Sequence, residues 1–305
     1  MIKLKKTSKL LSIALSTVLI MGTLVGCGSQ KTAVSSKKIG MVVSTLNNPF
    51  FVSMKEGAEK KAKELGYEIV VLDSQNDAAK ERSNVDDLVQ QGICALIINP
   101  TDSDAVANSI AVANDNKIKV ITVDRKANGG EVVCHVASDN IKGGEMAAEF
   151  ILQKLNGKGN LVELQGIPGA SATRERGKGF HNIVDKKPGV KVVASQAADF
   201  DRQKGLTVTE NIIQSTPKFD AIFTHNDEMA LGAIKAVKAA NKNAIIVGFD
   251  GNDDAKAAVK SGDLAATIAQ KPALMGSVAV ENAIKIAKGE TVQKEVPVEL
   301  ELIKK

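Results

Sequence analysis

Tryptophan is absent from the 305 residues, tyrosine occurs once, and there are three cysteines and three histidines. These shortages remove several classes of chemistry. His135, His181 and His225 have no metal-ligand spacing, and neither Cys94 nor Cys134 pairs with a histidine as a zinc site requires. No G-x-S-x-G sequence marks a hydrolase nucleophile. Asn156-Gly157-Lys158-Gly159-Asn160 is not a phosphate loop, because no GK[ST] leads it into a helix, and Gly143-Gly144 lies within a helical segment where a dinucleotide fingerprint would follow a strand. No metal and no cofactor is expected.

An excess of charge of either sign is scarce as well. The formal net charge is +5, and Lys3, Lys5, Lys6 and Lys9 at the N-terminus account for most of it. The remainder is near neutral, which leaves no footprint for nucleic acid. The one long apolar run, Leu10 to Val25, is too short and too weakly flanked for a stable membrane span. With lysines before it and Leu24-Val25-Gly26-Cys27 after it, it reads as a lipoprotein signal peptide over residues 1–26. Small residues suit the narrow site of the peptidase, and the Cys27 thiol takes the diacylglycerol. Residues 27–37, polar and rich in Ser and Lys, suit a flexible tether to the outer face of the cell membrane. Cys94 and Cys134 lie in apolar strand-like runs; they read as two separate thiols in preference to a disulfide.

What is present is 44% hydrophobic and 25% charged, the composition of a soluble globular protein long enough for two domains. Short Val/Ile-rich runs alternate with segments of helical period. The strands expected are Ile39–Ser44, Glu68–Leu72, Ala95–Ile98, Lys119–Val123, Val132–Ala137, Asn160–Leu164, Lys191–Ser195, Ala221–Thr224, Ala244–Phe249 and Ala265–Ala269, with Val296–Leu302 closing the chain. Continuous apolar strands point to parallel sheets covered on both faces. Between the first two, Asn48 caps a helix, Pro49 takes its first position, Met54, Ala58, Ala62 and Leu65 form an apolar stripe, and Gly66 ends it. Asp77–Gln91 and Asp227–Ala240 repeat the plan. About five such units precede Ser138 and about five follow, which predicts an α/β protein of two doubly wound parallel-sheet lobes.

Ligands of open parallel sheets bind beyond the carboxyl ends of the strands. The residues there are Ser44, Asn47, Asn48, Phe50 and Phe51, then Asp124 and Arg125, Arg174 and Arg176, Phe200, Asp201 and Arg202, His225, Asn226 and Asp227, Asp250, and Gln270. Carboxylates, guanidinium groups and carboxamides match the hydroxyls of a sugar, and phenyl rings match its C–H faces. Each residue alone has a plainer explanation: Asp124 and Asp250 as turn residues or caps, Phe50 and Phe51 as core, the arginines as solvated. Their gathering at one kind of strand edge favours a site. Asp124 and Asp250 could also form an acid–base pair for glycoside hydrolysis, but Arg125 and Arg176 are expected to keep both ionised, which denies the acid role.

Several segments resemble the bacterial ribose-binding proteins of ABC transport, within the periplasmic-binding-protein family. They are Val42–Phe51, Ile98–Val106, Ala137–Asn140, Asn226–Ala233, Val247–Gly251 and Leu264–Gln270. The resemblance covers the chain beyond the signal peptide. It implies two lobes joined by a three-segment hinge (the type I fold), with residues 38–138 plus 271–299 in one lobe and 139–270 plus 300–305 in the other. It implies a cleft that holds D-ribose through Ser44, Asn48, Phe50, Phe51, Asp124 and Arg125 of the first lobe, and Arg176, Phe200, Asn226 and Asp250 of the second, with Gln270 beside the hinge. It further implies an ABC permease as partner, a monomer, and no catalysis. Allose, another pentose or a furanose-like signal is the closest alternative ligand, and input to a sugar sensor the alternative role. A sugar-responsive repressor, similar in its effector core, would place a helix-turn-helix ahead of the first strand, where this chain has its signal segment. Cys134, His225 and Asn252-Asp253-Asp254 depart from the family's pattern.

Overall fold

Apolar strand segments and capped helices alternate along the chain in the computed structural model, which describes residues 36–305. The expected signal peptide, Cys27 and nearly all of the tether lie outside the described residues. The first sheet takes β1 (Lys38–Val43), β2 (Glu68–Asp73), β3 (Ala95–Ile98), β4 (Lys119–Val123), β5 (Val132–Ala137) and β11 (Glu295–Pro297), in the order β11-β5-β4-β3-β1-β2. The second takes β6 (Gly159–Gln165), β7 (Val190–Ala197), β8 (Ala221–Thr224), β9 (Ile245–Asp250), β10 (Ala266–Ala269) and β12 (Glu301–Lys304), in the order β12-β10-β9-β8-β6-β7. Both sheets are parallel apart from β12, which runs antiparallel to β10.

Helices α1 (Pro49–Glu64), α2 (Ala78–Gln90), α3 (Val106–Asp115) and α9 (Pro272–Ala287) cover the first sheet. Helices α4 (Asn140–Lys154), α5 (Ser171–Val184), α6 (Arg202–Ser215), α7 (Asp227–Ala239) and α8 (Asp253–Ser261) cover the second. One face of the first sheet packs Met41, Val43 and Ile97 against Met54, Met275 and Ala279; the other packs Leu96 and Ile98 against Leu88 and Ile110. Burial on both faces is why these strands are apolar without alternation. Each helix begins where local chemistry permits: the Asn48 side chain accepts the Phe50 N–H at 3.0 Å, Asp77 caps α2 and Asn226 caps α7.

The terminal run expected as one strand, Val296–Leu302, is two. Val298 donates its N–H to the Ala137 carbonyl at 2.9 Å, which ends pairing in the first sheet, and β12 then forms in the second. Val296 and Val298 pack in the first core, Leu300 and Leu302 in the second. Apolar alternation is unbroken across the change, so periodicity alone could not mark it. The chain passes between the sheets three times, after β5, after β10 and between β11 and β12. Cys94, partly buried, and Cys134, fully buried, are both free thiols.

Helices α1 and α9 approach closely because both carry glycine at the contact. A Cβ on Gly57 would lie 2.0 Å from the Ala273 carbonyl oxygen, and one on Gly276 would lie 2.0 Å from the Met54 carbonyl oxygen. Main-chain atoms cannot rotate away. Gly57→Ala should therefore lose about 1–3 kcal/mol to overpacking, more than the roughly 1 kcal/mol gained from helix propensity. Thermal denaturation should show a lower melting temperature; a rise would mean that the helices part without cost.

Candidate functional site

The carboxyl ends of the two sheets meet at a small cavity lined by Asn48, Phe50, Phe51, Asp124, Arg125, Ala172, Arg176, Phe200, Asn226 and Asp250. It adjoins a wider mouth that shares Asn48, Phe51, Arg125 and Phe200 and adds Asn47, Asp201, Arg202 and Glu228. Of the residues named from the sequence, Ser44 and Gln270 stand just behind the lining. The Ser44 N–H donates to Asn99 Oδ1 at 3.2 Å, and Gln270 Nε2 donates to Asp250 Oδ1 at 2.9 Å. Arg174 is not brought in; its guanidinium donates to the carbonyls of Pro168 and Gly169. Asp201 caps α6, and Arg202 is held by Glu228 and Asp254, both at the rim.

Backbone geometry aims these side chains. Asp124 (φ 63°), Phe200 (φ 60°) and Asp250 (φ 118°) all occupy the left-handed half of conformational space. Such a φ is uncommon for any side chain and exceptional for phenylalanine. It turns each residue back from its strand end or loop toward the cleft. The surroundings hold the turns: Asp124 N–H donates to the Val136 carbonyl at 2.9 Å, Asn226 Nδ2 donates to the Phe200 carbonyl at 3.2 Å, and Gln270 N–H donates to the Asp250 carbonyl at 2.9 Å. Phe50 and Phe51 sit in the first turn of α1, edge to face with centroids 5.2 Å apart.

Two buried ion pairs form the polar centre. Arg125 Nε lies 3.7 Å from Asp124 Oδ2, and Arg176 lies 3.6 Å from Asp250 Oδ1; all four side chains are 3–4% exposed. The Arg125 guanidinium lies between the rings of Phe51 (5.3 Å) and Phe200 (5.2 Å), and that of Arg176 lies 3.8 Å above Phe249. Asn99 Nδ2 donates to Asp124 Oδ2 at 3.1 Å, and Arg176 Nε donates to Asn140 Oδ1 at 2.8 Å. Asp124 Oδ1, Arg125 Nε, Gln270 Oε1 and the Ser44 hydroxyl have no hydrogen-bond partner among the described residues.

The arginines are not the strongest influence on the two carboxyls. Burial is the larger influence: it raises Asp124 above the usual aspartate range despite Arg125 and Arg176, and pushes Asp250 up to about 7 despite Arg176 and Gln270. Beneath Asp250, buried Asp227 is raised well above its ordinary value by burial and by Asp250, though it accepts from the Thr267 hydroxyl and the Asn252 N–H. Arg125 in turn is lowered by burial, opposed by Asp124.

Sequence reasoning passed over Asn99, Asn140, Ala172 and Phe249. Asn99 stands at the end of β3 and the strand-end rule would have found it. Asn140 and Phe249 act only through Arg176, a contact across three elements that no spacing reveals.

A second polar cluster lies behind Arg176 in the second lobe. Fully buried Glu163 on β6 accepts from the Ser195 hydroxyl, from Gln165 Nε2 at 3.1 Å and from His225 Nε2 at 2.9 Å, with His181 Nε2 at 3.4 Å. These donors hold Glu163 well below the usual carboxylate range although burial, its largest single influence, pushes the other way.

Residues 39–291 match the family model of the periplasmic binding protein domain. The chain is 56% identical over 287 residues to the ribose import binding protein RbsB of Haemophilus influenzae, covering 94% of this chain and 98% of that one. It is 54% identical to RbsB of Bacillus subtilis, covering 87% and 86%. Among solved structures, an ABC transporter solute binding protein from Bacillus halodurans with bound myo-inositol superposes with a TM-score of 0.85 at 30% identity, covering 90% of this chain and 96% of that one.

His181 supplies a pH test of the second cluster. Its pKa is raised to about 9, first by its hydrogen bond to Glu163 and then by Asp185. A raised folded-state pKa gives stability that is complete below the unfolded value, roughly 6.5, and lost as pH rises through about 9. The melting temperature of His181→Gln should fall below wild type at pH 6 and converge with it by about pH 10. A gap that is constant with pH would remove the ion pair from the account.

Proposed function

The chain belongs to the periplasmic-binding-protein family, and on that premise we propose that it is an extracytoplasmic binding protein, not an enzyme, that captures D-ribose between its lobes and delivers it to an ABC permease. The observation that carries the ligand reading is the polar centre. Asp124 and Arg125 from one lobe face Arg176 and Asp250 from the other, between phenyl rings, and two of their polar atoms, Asp124 Oδ1 and Arg125 Nε, have no hydrogen-bond partner among the described residues. Buried polar groups need partners, and the hydroxyls of a pentose supply both donors and acceptors to them, with Ser44, Asn48, Asn226 and Gln270 completing the set. Phe50, Phe51 and Phe200 cover the C–H faces. Relatives more than half identical are named ribose import binding proteins.

Delivery requires release, and the connections allow it. We assign residues 38–138 plus 271–299 to one lobe and 139–270 plus 300–305 to the other, hinged where the chain passes between sheets. Contacts across the cleft support closure on the sugar. The Ser103 N–H donates to the Gly169 carbonyl at 3.0 Å, and the Lys126 N–H to the Ser171 hydroxyl at 2.8 Å. Helix α5 has no side-chain cap of its own; its Ser171 N–H donates to Ser103 Oγ of the opposite lobe at 3.1 Å. Closure thus satisfies a helix end, and a sugar that touches both lobes stabilises only the closed form. The closed outer surface is what the permease reads. Cys27, as the acylated mature N-terminus, keeps a monomeric protein at the outer face of the membrane.

Hydrogen bonds to charged groups contribute about 1.5–3 kcal/mol each. Asp124→Ala and Asp250→Ala should each weaken ribose binding by about ten- to a hundredfold at roughly 1.4 kcal/mol per decade. Calorimetric titration against ribose, allose and other pentoses measures this directly, with melting curves as a second readout. Wild type should melt higher with ribose and both variants should respond much less. A wild type indifferent to ribose means another ligand; variants that respond as wild type does mean another site. For the anchor, Cys27→Ala should move the protein from the membrane to the soluble or secreted fraction; unchanged membrane partition would count against acylation.

A further inference from the structure

Glu163 and His225 touch no part of the cavity, yet both are fully buried and lie directly behind it. The partners of the His225 ring define its protonation. Nε2 faces the Glu163 carboxylate at 2.9 Å and must carry a proton; Nδ1 faces the Gly166 N–H at 3.4 Å and must be bare. The ring is therefore neutral in a single tautomer. Burial, with Arg176 and His181 nearby, favours neutrality; the Glu163 hydrogen bond opposes it.

The imidazole anchors residue 225 and the loop at Gly166, and three ligand-site residues are held by these two segments. The His225 carbonyl accepts from Arg176 Nη1. Gly166, tied to Nδ1, lies flat against the Phe200 ring: a Cβ there would be 2.1 Å from it. Asn226, the next residue, donates to the Phe200 carbonyl at 3.2 Å. An apolar side chain at 225 would leave the Glu163 charge and the Gly166 N–H without this partner, which loosens the loop beneath Phe200 directly and, through the main chain of residue 225, the carbonyl that holds the Arg176 guanidinium.

We propose that Glu163 and His225 are positioning residues for sugar binding, a buried carboxylate–imidazole pair that fixes Arg176 and Phe200 from behind. The inference rests on the ligand reading above. The chemistry required at 225 is one donor toward Glu163 and one acceptor toward Gly166. A carboxamide offers both; a methyl group offers neither. His225→Ala should weaken ribose binding about tenfold, and His225→Gln should restore it to within about threefold of wild type. In an Arg176→Ala background, His225→Ala should cost much less, because the group it positions is gone. An equal loss in both backgrounds indicates general loosening and overturns the proposal. So does a folded His225→Ala that binds as wild type. Should His225→Ala not fold, ¹⁵N-edited spectra of the imidazole decide. Wild type should show bare Nδ1 and protonated Nε2 throughout about pH 5–8, and Glu163→Gln should lose that fixed pattern; a wild-type proton on Nδ1 overturns the proposal. If wild type takes no ribose, the ligand reading fails on its own, and the same variants are titrated with the sugar that it does bind.

Discussion

Two arginines and two aspartates are buried together between the sheets, and most of what packs around the cleft answers to that. Desolvating an ion costs several kcal/mol even after relaxation, and the pairs here, at 3.6–3.7 Å, are too loose to offset it alone. The balance is made up by Asn99 and Gln270, which donate to the carboxylates, by Asn140 and two main-chain carbonyls, which accept from the arginines, and by phenyl rings above and below the guanidinium groups. The raised carboxyls of Asp124 and Asp250 report the same imbalance from the acid side. A ligand rich in hydroxyls suits such a centre because each hydroxyl can donate to one charge and accept from another.

The backbone carries part of the cost. Left-handed φ at Asp124, Phe200 and Asp250 costs on the order of 1–3 kcal/mol each. Such conformations persist where the surroundings over-determine them, and the main chain of each is hydrogen-bonded to a neighbouring element, that of Phe200 through the Asn226 side chain. Gly166 beneath Phe200 and the neutral His225 beneath Gly166 extend that anchoring to buried Glu163. Rigidity behind the cleft and hinged connections beside it are compatible because they lie on different elements: the polar supports lie within each lobe, the three passages between the sheets.

The layered fold was legible in the sequence. Runs such as Ala95–Ile98 and Ala221–Phe223 are apolar at every position because both faces are covered, and the caps at Asn48, Asp77 and Asn226 fix where helices begin. Strand-end placement also brought Asp124, Arg125, Phe200, Asn226 and Asp250 to notice, since the ends of parallel strands must share an edge. What stayed hidden was set by contacts between elements distant in sequence. The change of sheets within Val296–Leu302 left alternation intact, because each half faces a different core. Asn140 and Phe249 gain their roles only through one guanidinium.

Ionisation shows the division most plainly. Sequence placed carboxylates beside arginines, and pairwise attraction implied that they would be ionised. The tertiary structure withdrew water from all four groups at once, and that burial raises the pKa of Asp124 and Asp250 against the pull of the arginines. Sequence determined which charges exist and at which strand ends they stand, because those follow from local pattern. Only the packing of two sheets edge to edge decided their environment, because desolvation depends on everything nearby and not on neighbours along the chain.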